Sequence, residues 1–187
     1  MKNYWDQAIS FDEYIKIADQ RLHHPDNPKD EEYKQYYELG VQRMDRTLKK
    51  FTINEEQLKE LQSKNFNGKI LIISEAWCGD ASATVPALVK FFENQNEVKI
   101  FLRDSDPSLI NQFLTNGTQS IPKVIILDNE FNVKNSWGPR PKYGRDLLSK
   151  HKADPEAYPK DEFYNDLQIY YARNRGIDAI QEILELL

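Results

Sequence analysis

The sequence contains a single cysteine, Cys78, and its position favours reactive-thiol chemistry. Cys78 follows an apolar run, residues 69–74, and precedes a second apolar segment, residues 81–94, with the composition of a helix. The first turn of a helix has unpaired backbone N–H groups and a partial positive charge, and both favour a thiolate over a thiol. We therefore expect Cys78 to be the nucleophile if the protein catalyses a reaction.

The histidines do not extend this position into a metal centre. His23, His24 and His151 stand at no familiar ligand spacing from Cys78, so a solvated turn explains the His-His-Pro stretch. A single cysteine cannot form an internal disulfide, which suits a reducing compartment. We expect neither a metal nor another cofactor.

Length and composition restrict the class of protein. A chain of 187 residues that is 40% hydrophobic fits one domain, or one domain with an extension. The formal net charge of -5 argues against nucleic acid as a partner, because phosphate binding requires a basic face. The sequence begins without an apolar secretory signal, and no segment approaches the roughly 20 apolar residues of a membrane span. We predict a cytoplasmic protein that binds neither nucleic acid nor membranes.

The first third of the chain has the pattern of a helical extension. A capping box at residues 10–13 starts an apolar periodicity that extends to Leu22. A longer apolar stripe covers residues 33–51, and Asn54 is a candidate N-cap for a short third helix. We assign residues 1–67 to an N-terminal helical extension.

The remaining residues, 68–187, alternate strand-like and helix-like segments, which is the order of an α/β domain. The first strand precedes the helix after Cys78, and we expect a polar–apolar segment, residues 106–116, to form the next helix. A turn at residues 128–132 then leads to an antiparallel strand, so the sheet is mixed. The predicted strands are residues 69–74, 98–103, 123–128 and 133–137.

The C-terminal segment adds helices. Apolar residues from Phe163 to Tyr171 indicate a helix that ends near Gly176. The final segment, residues 177–187, is more apolar than a free terminus usually is. It either docks on the domain or pairs with a second copy of the chain, which would give a homodimer.

The turn Trp77-Cys78-Gly79 after a buried strand resembles the active-site turn of the thioredoxin superfamily, which usually reads W-C-x-x-C. Pro86 stands eight residues after Cys78, where thioredoxins kink the active-site helix. Gly138 corresponds to a glycine that follows the last strand of the family. The resemblance implies a thioredoxin-like three-layer fold with a mixed central sheet.

The pair Ile121-Pro122, directly before a predicted strand, resembles the cis-proline loop of the same family. The resemblance implies that this loop faces Cys78. The backbone N–H and C=O groups of Ser120 and Ile121 would then be available to an extended peptide. An ordinary trans proline that opens a strand is the alternative.

Two departures from the family pattern agree with each other. Ala81 stands where dithiol thioredoxins have their second cysteine, and Ile72 stands where they have a buried acid. No resolving thiol exists in the chain, so a mixed disulfide at Cys78 would have to be released by another molecule. The monothiol glutaredoxins that bind iron–sulfur clusters have a serine one position earlier than Ser82, which argues against a cluster.

Charged residues near the turn are expected to change how readily the Cys78 thiol ionises. Glu75 and Asp80 would oppose ionisation if they face the sulfur, whereas Arg103, Lys123 and Arg140 are candidate counterweights. Between two prolines, Arg140 is expected to hold its guanidinium over the groove, where it would meet a carboxylate of a small thiol or a peptide.

Two functions remain open. One is a monothiol thiol–disulfide oxidoreductase whose partners are protein or small-molecule thiols and disulfides, with Cys78 as nucleophile. The other is a non-catalytic thioredoxin-like module that holds a protein through Pro122 and Trp77. In either case the predicted binding residues are Trp77, Gly79, Asp80, Ala81, Ile121, Pro122 and Arg140.

Overall fold

Four short strands form the central sheet of the computed structural model, which describes all of residues 1–187. The order across the sheet is β2-β1-β3-β4. β1 pairs in parallel with β2 and antiparallel with β3, which in turn pairs antiparallel with β4, so the predicted mixed sheet is confirmed. The strands are β1 (Lys69–Ser74), β2 (Glu97–Leu102), β3 (Lys123–Leu127) and β4 (Val133–Trp137).

Helices pack against the sheet, and further helices precede the first strand and follow the last one. None of them has the length and apolar composition that a membrane span requires. The helices are α1 (Lys2–Gln7), α2 (Phe11–His23), α3 (Pro28–Glu32), α4 (Lys34–Lys50), α5 (Glu55–Ser63), α6 (Gly79–Phe92), α7 (Lys142–Ala153), α8 (Lys160–Asn174) and α9 (Ile177–Leu184).

Local capping explains where the helices of the extension begin. The Ser10 side chain accepts from the backbone N–H of Glu13, and the Glu13 carboxylate accepts from the backbone N–H of Ser10, so the predicted capping box is present. The Asn54 side chain caps α5 by accepting from the backbone N–H groups of Glu56 and Gln57. The segment between α1 and α2 was not predicted to pair, but Ile9 bridges to Ile100 at the outer edge of β2. This contact covers an otherwise open sheet edge.

The predicted helix over residues 106–116 is wrong, since only one 3-10 turn, Ile110–Gln112, forms there. The Asp106 side chain accepts from the backbone N–H of Ser108, and this local bond competes with helix formation at the start of the segment. Thr115 pairs with Thr118 in a tight turn at its end. α7 was missed because its region is charged and bordered by prolines, as in a loop.

One hydrophobic core spans the extension and the sheet. Tyr14, Tyr37 and Met44 from the extension are buried in the same cluster as the strand residues of β1 and β3. At the other end, α9 docks on the protein through Ile180 and Ile183, and the Gln57 side chain of α5 donates to the Ile177 carbonyl. The extension therefore packs against the segment that carries Cys78.

Candidate functional site

Cys78 occupies the N-cap position of α6, directly after the turn that leaves β1. Its backbone N–H donates to the Glu75 carbonyl, and its own carbonyl accepts from Ser82 in the first turn of the helix. The Sγ–H donates to the Ile121 carbonyl oxygen at 3.4 Å, and the residue is only 9% exposed. The sulfur thus lies between the helix N-terminus and the Ile121–Pro122 loop.

Burial dominates the ionisation of this thiol. Desolvation raises the pKa of Cys78 to about 12, and the negative charge of Asp80 acts in the same direction. The backbone N–H groups of Ala81 and Asp80 and the charge of Arg140 lower the pKa, but by less. The thiolate expected from the helix N-terminus is therefore not the resting state, because loss of hydration outweighs the helix field. At neutral pH the thiol is therefore protonated.

Asp80 is the acidic group of the site and is itself nearly buried. Its Oδ2 atom accepts from Arg140 Nη2 at 2.6 Å, and its Oδ1 atom accepts from the Tyr171 hydroxyl at 2.8 Å. Arg140 was expected to await a substrate carboxylate, but the carboxylate that it contacts is Asp80. The ion pair brings together two residues that are 60 positions apart, which no local pattern reveals.

The Ile121–Pro122 peptide bond is cis, and so is Gly138–Pro139. The backbone N–H groups of Ser120 and Ile121 donate to no group within the protein, and the Ile121 carbonyl accepts only the Cys78 thiol. The loop therefore presents free donors beside the sulfur.

Trp77 lines the site, and contacts with three neighbouring side chains hold its ring in place. Its Nε1–H donates to Asp104 Oδ2 at 3.1 Å, the Arg103 guanidinium lies 5.0 Å from its ring centroid, and the Tyr33 ring meets it edge-on. Arg103, a predicted counterweight to the thiolate, is paired with Asp104 instead. Lys123, the other one, donates to the Thr115 hydroxyl and does not line the groove.

Gly79 and Ala81 fix the beginning of α6. A Cβ atom at Gly79 would lie 3.0 Å from Arg43 Nη1 and 3.6 Å from Gln168 Nε2, so the helix approaches both side chains closely. Ala81 is completely buried, and the position of a second cysteine therefore points into the core.

Glu75 is a second buried carboxylate near Cys78. The sequence showed that it lies close to Cys78 along the chain, but it did not predict its contacts. Glu75 is fully buried, and its Oε2 atom accepts from Arg21 Nη1 at 3.0 Å while Oε1 accepts from the backbone N–H of Asp104 at 2.7 Å. Arg21 also donates to the Tyr37 hydroxyl. Burial raises the pKa of Glu75 above its ordinary value. This network attaches the helical extension to the turn that carries Cys78.

Cys78 opens onto a groove of about 770 Å³. One wall comes from the tyrosine-rich extension, for which a role as a substrate wall was one possibility in the sequence. The other wall comes from α8 and was not predicted, because its residues are distant from Cys78 along the chain. The flat surface of Tyr36 is half exposed on the first wall, and Tyr164 is similarly exposed on the second. The walls include Tyr33, Tyr36, Leu39, Arg43, Lys160, Asp161, Tyr164 and Gln168.

Comparison with known proteins identifies the family. A family model described as thioredoxin matches residues 27–154, which is well over half of the chain. A protein of unknown function from Pseudomonas aeruginosa shares the fold, with 18% identity, a TM-score of 0.57, and coverage of 97% of this chain and 92% of that one. An HIV epitope scaffold does so with 18% identity, a TM-score of 0.63, and coverage of 99% and 95%. No curated protein is significantly similar in sequence. The protein therefore belongs to the thioredoxin family and has its fold, with helical extensions.

Proposed function

We propose that the protein is a monothiol thiol–disulfide oxidoreductase that uses Cys78 as nucleophile and an external thiol to release the product. One observation carries the proposal. The sulfur lies at the N-terminus of α6, where the backbone N–H groups of Asp80 and Ala81 and the guanidinium of Arg140 favour its negative charge, and it opens onto a groove. These groups offset part of the cost of burying the negative charge that the sulfur carries when it attacks a disulfide and when it leaves a mixed disulfide.

The reaction balances without a second cysteine. The Cys78 thiolate attacks one sulfur of a substrate disulfide, which forms a mixed disulfide and releases the other half as a thiolate. An external thiolate then attacks the substrate sulfur of the mixed disulfide and restores Cys78. The net change is an exchange of thiols between disulfides. A reducing compartment such as the cytoplasm supplies the external thiol.

The loop before Pro122 would bind an extended substrate. The free N–H groups of Ser120 and Ile121 are donors for its backbone or for a polar group next to its disulfide. Trp77 and Tyr36 offer flat apolar surfaces at the same groove. A disulfide held there lies next to the sulfur that attacks it.

The high pKa of Cys78 sets the pH dependence of the first step. Only the thiolate attacks. As long as the pH is below the pKa of Cys78, the thiolate fraction increases about tenfold with each unit by which the pH rises. Exchange by the free protein should therefore be slow at neutral pH and accelerate steadily into the alkaline range.

A protein-binding module without catalysis is the second candidate. It is favoured by the resting state of the thiol, which is protonated and only 9% exposed. In that case the groove would hold a partner, and the Cys78 Sγ–H would serve only as a donor to the Ile121 carbonyl.

The two functions are separated by reaction of the folded protein with a small neutral disulfide, bis(hydroxyethyl) disulfide. The oxidoreductase should form a mixed disulfide, detected by mass spectrometry, at a rate that rises with pH, and excess mercaptoethanol should reverse it. Cys78→Ser is the blank. A folded protein that forms no adduct even near pH 9, while the urea-unfolded chain does, would leave only the binding module.

A further inference from the structure

Two arginines of α4, Arg43 and Arg46, have no acidic partner. Arg43 is half-buried and Arg46 is exposed, and neither side chain makes an ion pair or a hydrogen bond within the protein. The arginines that do form ion pairs are Arg21, Arg103, Arg140 and Arg145. Other cations, such as the exposed Arg173, also lack an acidic partner, so it is their position that distinguishes Arg43 and Arg46.

Arg43 lies close to the first turn of the helix that begins at Cys78. Its Nη1 atom is 3.0 Å from the place that a Cβ atom of Gly79 would occupy, and Gly79 directly follows Cys78. Arg43 also lines the groove that contains Cys78. A group attached to Cys78 can therefore contact this guanidinium.

The same side chain connects the groove to a second cleft, which lies between α4 and α8 and has a volume of about 530 Å³. Arg43 and Gln168 line both cavities, and Arg46 lines the second. The Gln168 Oε1 atom is buried and has no hydrogen-bond partner. The two cations thus continue from the groove into the cleft, whereas the buried Oε1 atom, an acceptor, would pair with a hydrogen-bond donor of a ligand and not with its anionic group.

The charges around Arg43 do not neutralise it. Asp80, the nearest acid of the groove, is already paired with Arg140 and Tyr171. Glu32 and Asp161 are exposed at the groove and form no ion pair with it. Burial and the neighbouring Arg46 lower the pKa of Arg43, so an anion between the two guanidinium groups would relieve an existing repulsion.

We propose that this cleft binds the anionic arm of the disulfide substrate. The inference rests on the proposed function of Cys78 and narrows it to low-molecular-weight disulfides whose thiol carries a carboxylate or a phosphate. Arg43 contacts the anionic group next to Cys78, and Arg46 contacts a longer arm. The size of the two cavities suits a small molecule, since ligand sites usually span about 300–1,000 Å³. Planar guanidinium groups bind carboxylate and phosphate oxygens in pairs.

The test compares three small disulfides that differ in charge: anionic dithiodipropionate, neutral bis(hydroxyethyl) disulfide and cationic cystamine. The second-order rate of mixed-disulfide formation is measured for each by mass spectrometry and divided by its rate with free mercaptoethanol, which corrects for intrinsic reactivity. The order expected for the native protein is anionic, then neutral, then cationic. Arg43→Gln should slow the anionic disulfide about tenfold more than the neutral one, because both lose the support that the Arg43 charge gives to the Cys78 thiolate but only the anion loses its partner. Arg173→Gln, at an exposed arginine without a partner in α8, is the matched control and should change neither rate.

The outcomes separate this inference from the proposed function. If none of the three disulfides reacts with Cys78 in the folded protein, the oxidoreductase function fails. If all three react and the normalised rates show no preference for the anion, or if Arg43→Gln and Arg173→Gln behave alike, the oxidoreductase stands and the anionic substrate class is overturned. Raising the salt concentration should reduce the preference of the native protein for the anion, and a preference that salt does not change would also contradict the inference.

Discussion

The two buried carboxylates on either side of Cys78, Glu75 and Asp80, are neutralised by different parts of the chain. Arg21 of the N-terminal extension pairs with Glu75, whereas Arg140, in the loop after the last strand, pairs with Asp80. Glu75 is fully buried and does not line the groove, while Asp80 lines it. Of the two charges, only that of Asp80 is among the main causes of the raised pKa of Cys78.

We therefore expect the two carboxylates, only five residues apart, to have different roles, Glu75 in the stability of the fold and Asp80 in the reactivity of the thiol. The Glu75 network attaches the extension to the active-site turn, so its loss should cost folding free energy. The Asp80 network faces the thiol, so its loss should change reactivity. The predictions below test that division, from the largest expected effect to the smallest.

Arg21→Met should give the largest loss of stability. It leaves the Glu75 carboxylate buried without its cation, and breaking a buried pair in this way costs about 3–5 kcal/mol. Urea unfolding measures the change, and Arg173→Met, at an exposed position, should stay within about 0.5 kcal/mol of the native protein. A loss no greater than that of the control would show that the Glu75 network does not stabilise the fold.

Gly40→Ala should destabilise the protein although alanine is the better helix former. A Cβ atom at this position of α4 would collide with the Ala76 carbonyl in the turn before Cys78. Overpacking of this kind costs about 1–3 kcal/mol, which exceeds the gain of up to about 1 kcal/mol from helix propensity. Thermal or urea unfolding gives the sign. A stabilised variant would mean that α4 does not contact the turn this closely.

The Cys78 thiol should make stability depend on alkaline pH. Its pKa is raised in the folded protein, so above the pKa of the unfolded chain, about 8.5, the folded state retains a proton that the unfolded state has lost. The free energy of unfolding should then decrease by about 1.4 kcal/mol per pH unit up to about pH 12, in addition to the effects of other groups. Cys78→Ser removes this contribution, so the difference between the two proteins isolates it. Parallel pH profiles would show that the thiol is not protected in the native state.

Local patterns in the sequence predicted much of the fold. β1 and β4 have the predicted bounds, and the caps at Ser10 and Asn54 start α2 and α5, because apolar runs, turn signals and capping depend on neighbouring residues. The predicted helix at 106–116 failed because side-chain bonds within the segment stabilise turns instead.

The site was predicted less completely, for physical reasons. The position of Cys78 at a helix N-terminus follows from the sequence, but its pKa depends on burial, which only the tertiary structure determines. Arg140 was placed near the groove, yet its partner Asp80 is 60 residues away, and the contribution of Arg43 requires α4 to pack on α6. Contacts between distant segments leave no periodic signal in either segment.

The most direct test of the account is the rate of Cys78 alkylation as a function of pH in two isosteric variants, Asp80→Asn and Glu75→Gln. Each variant replaces a buried carboxylate with a neutral amide. Asp80→Asn removes the negative charge that pairs with Arg140, and Glu75→Gln removes the one that pairs with Arg21. Because the Asp80 charge raises the pKa of the thiol and Arg140 lowers it, Asp80→Asn should lower the pKa by about one unit or more and raise the rate near pH 8 about tenfold. Glu75→Gln should leave the rate near that of the native protein. Equal effects of the two variants, or a slower thiol in Asp80→Asn, would contradict the claim that the groove-side carboxylate controls the reactivity of Cys78.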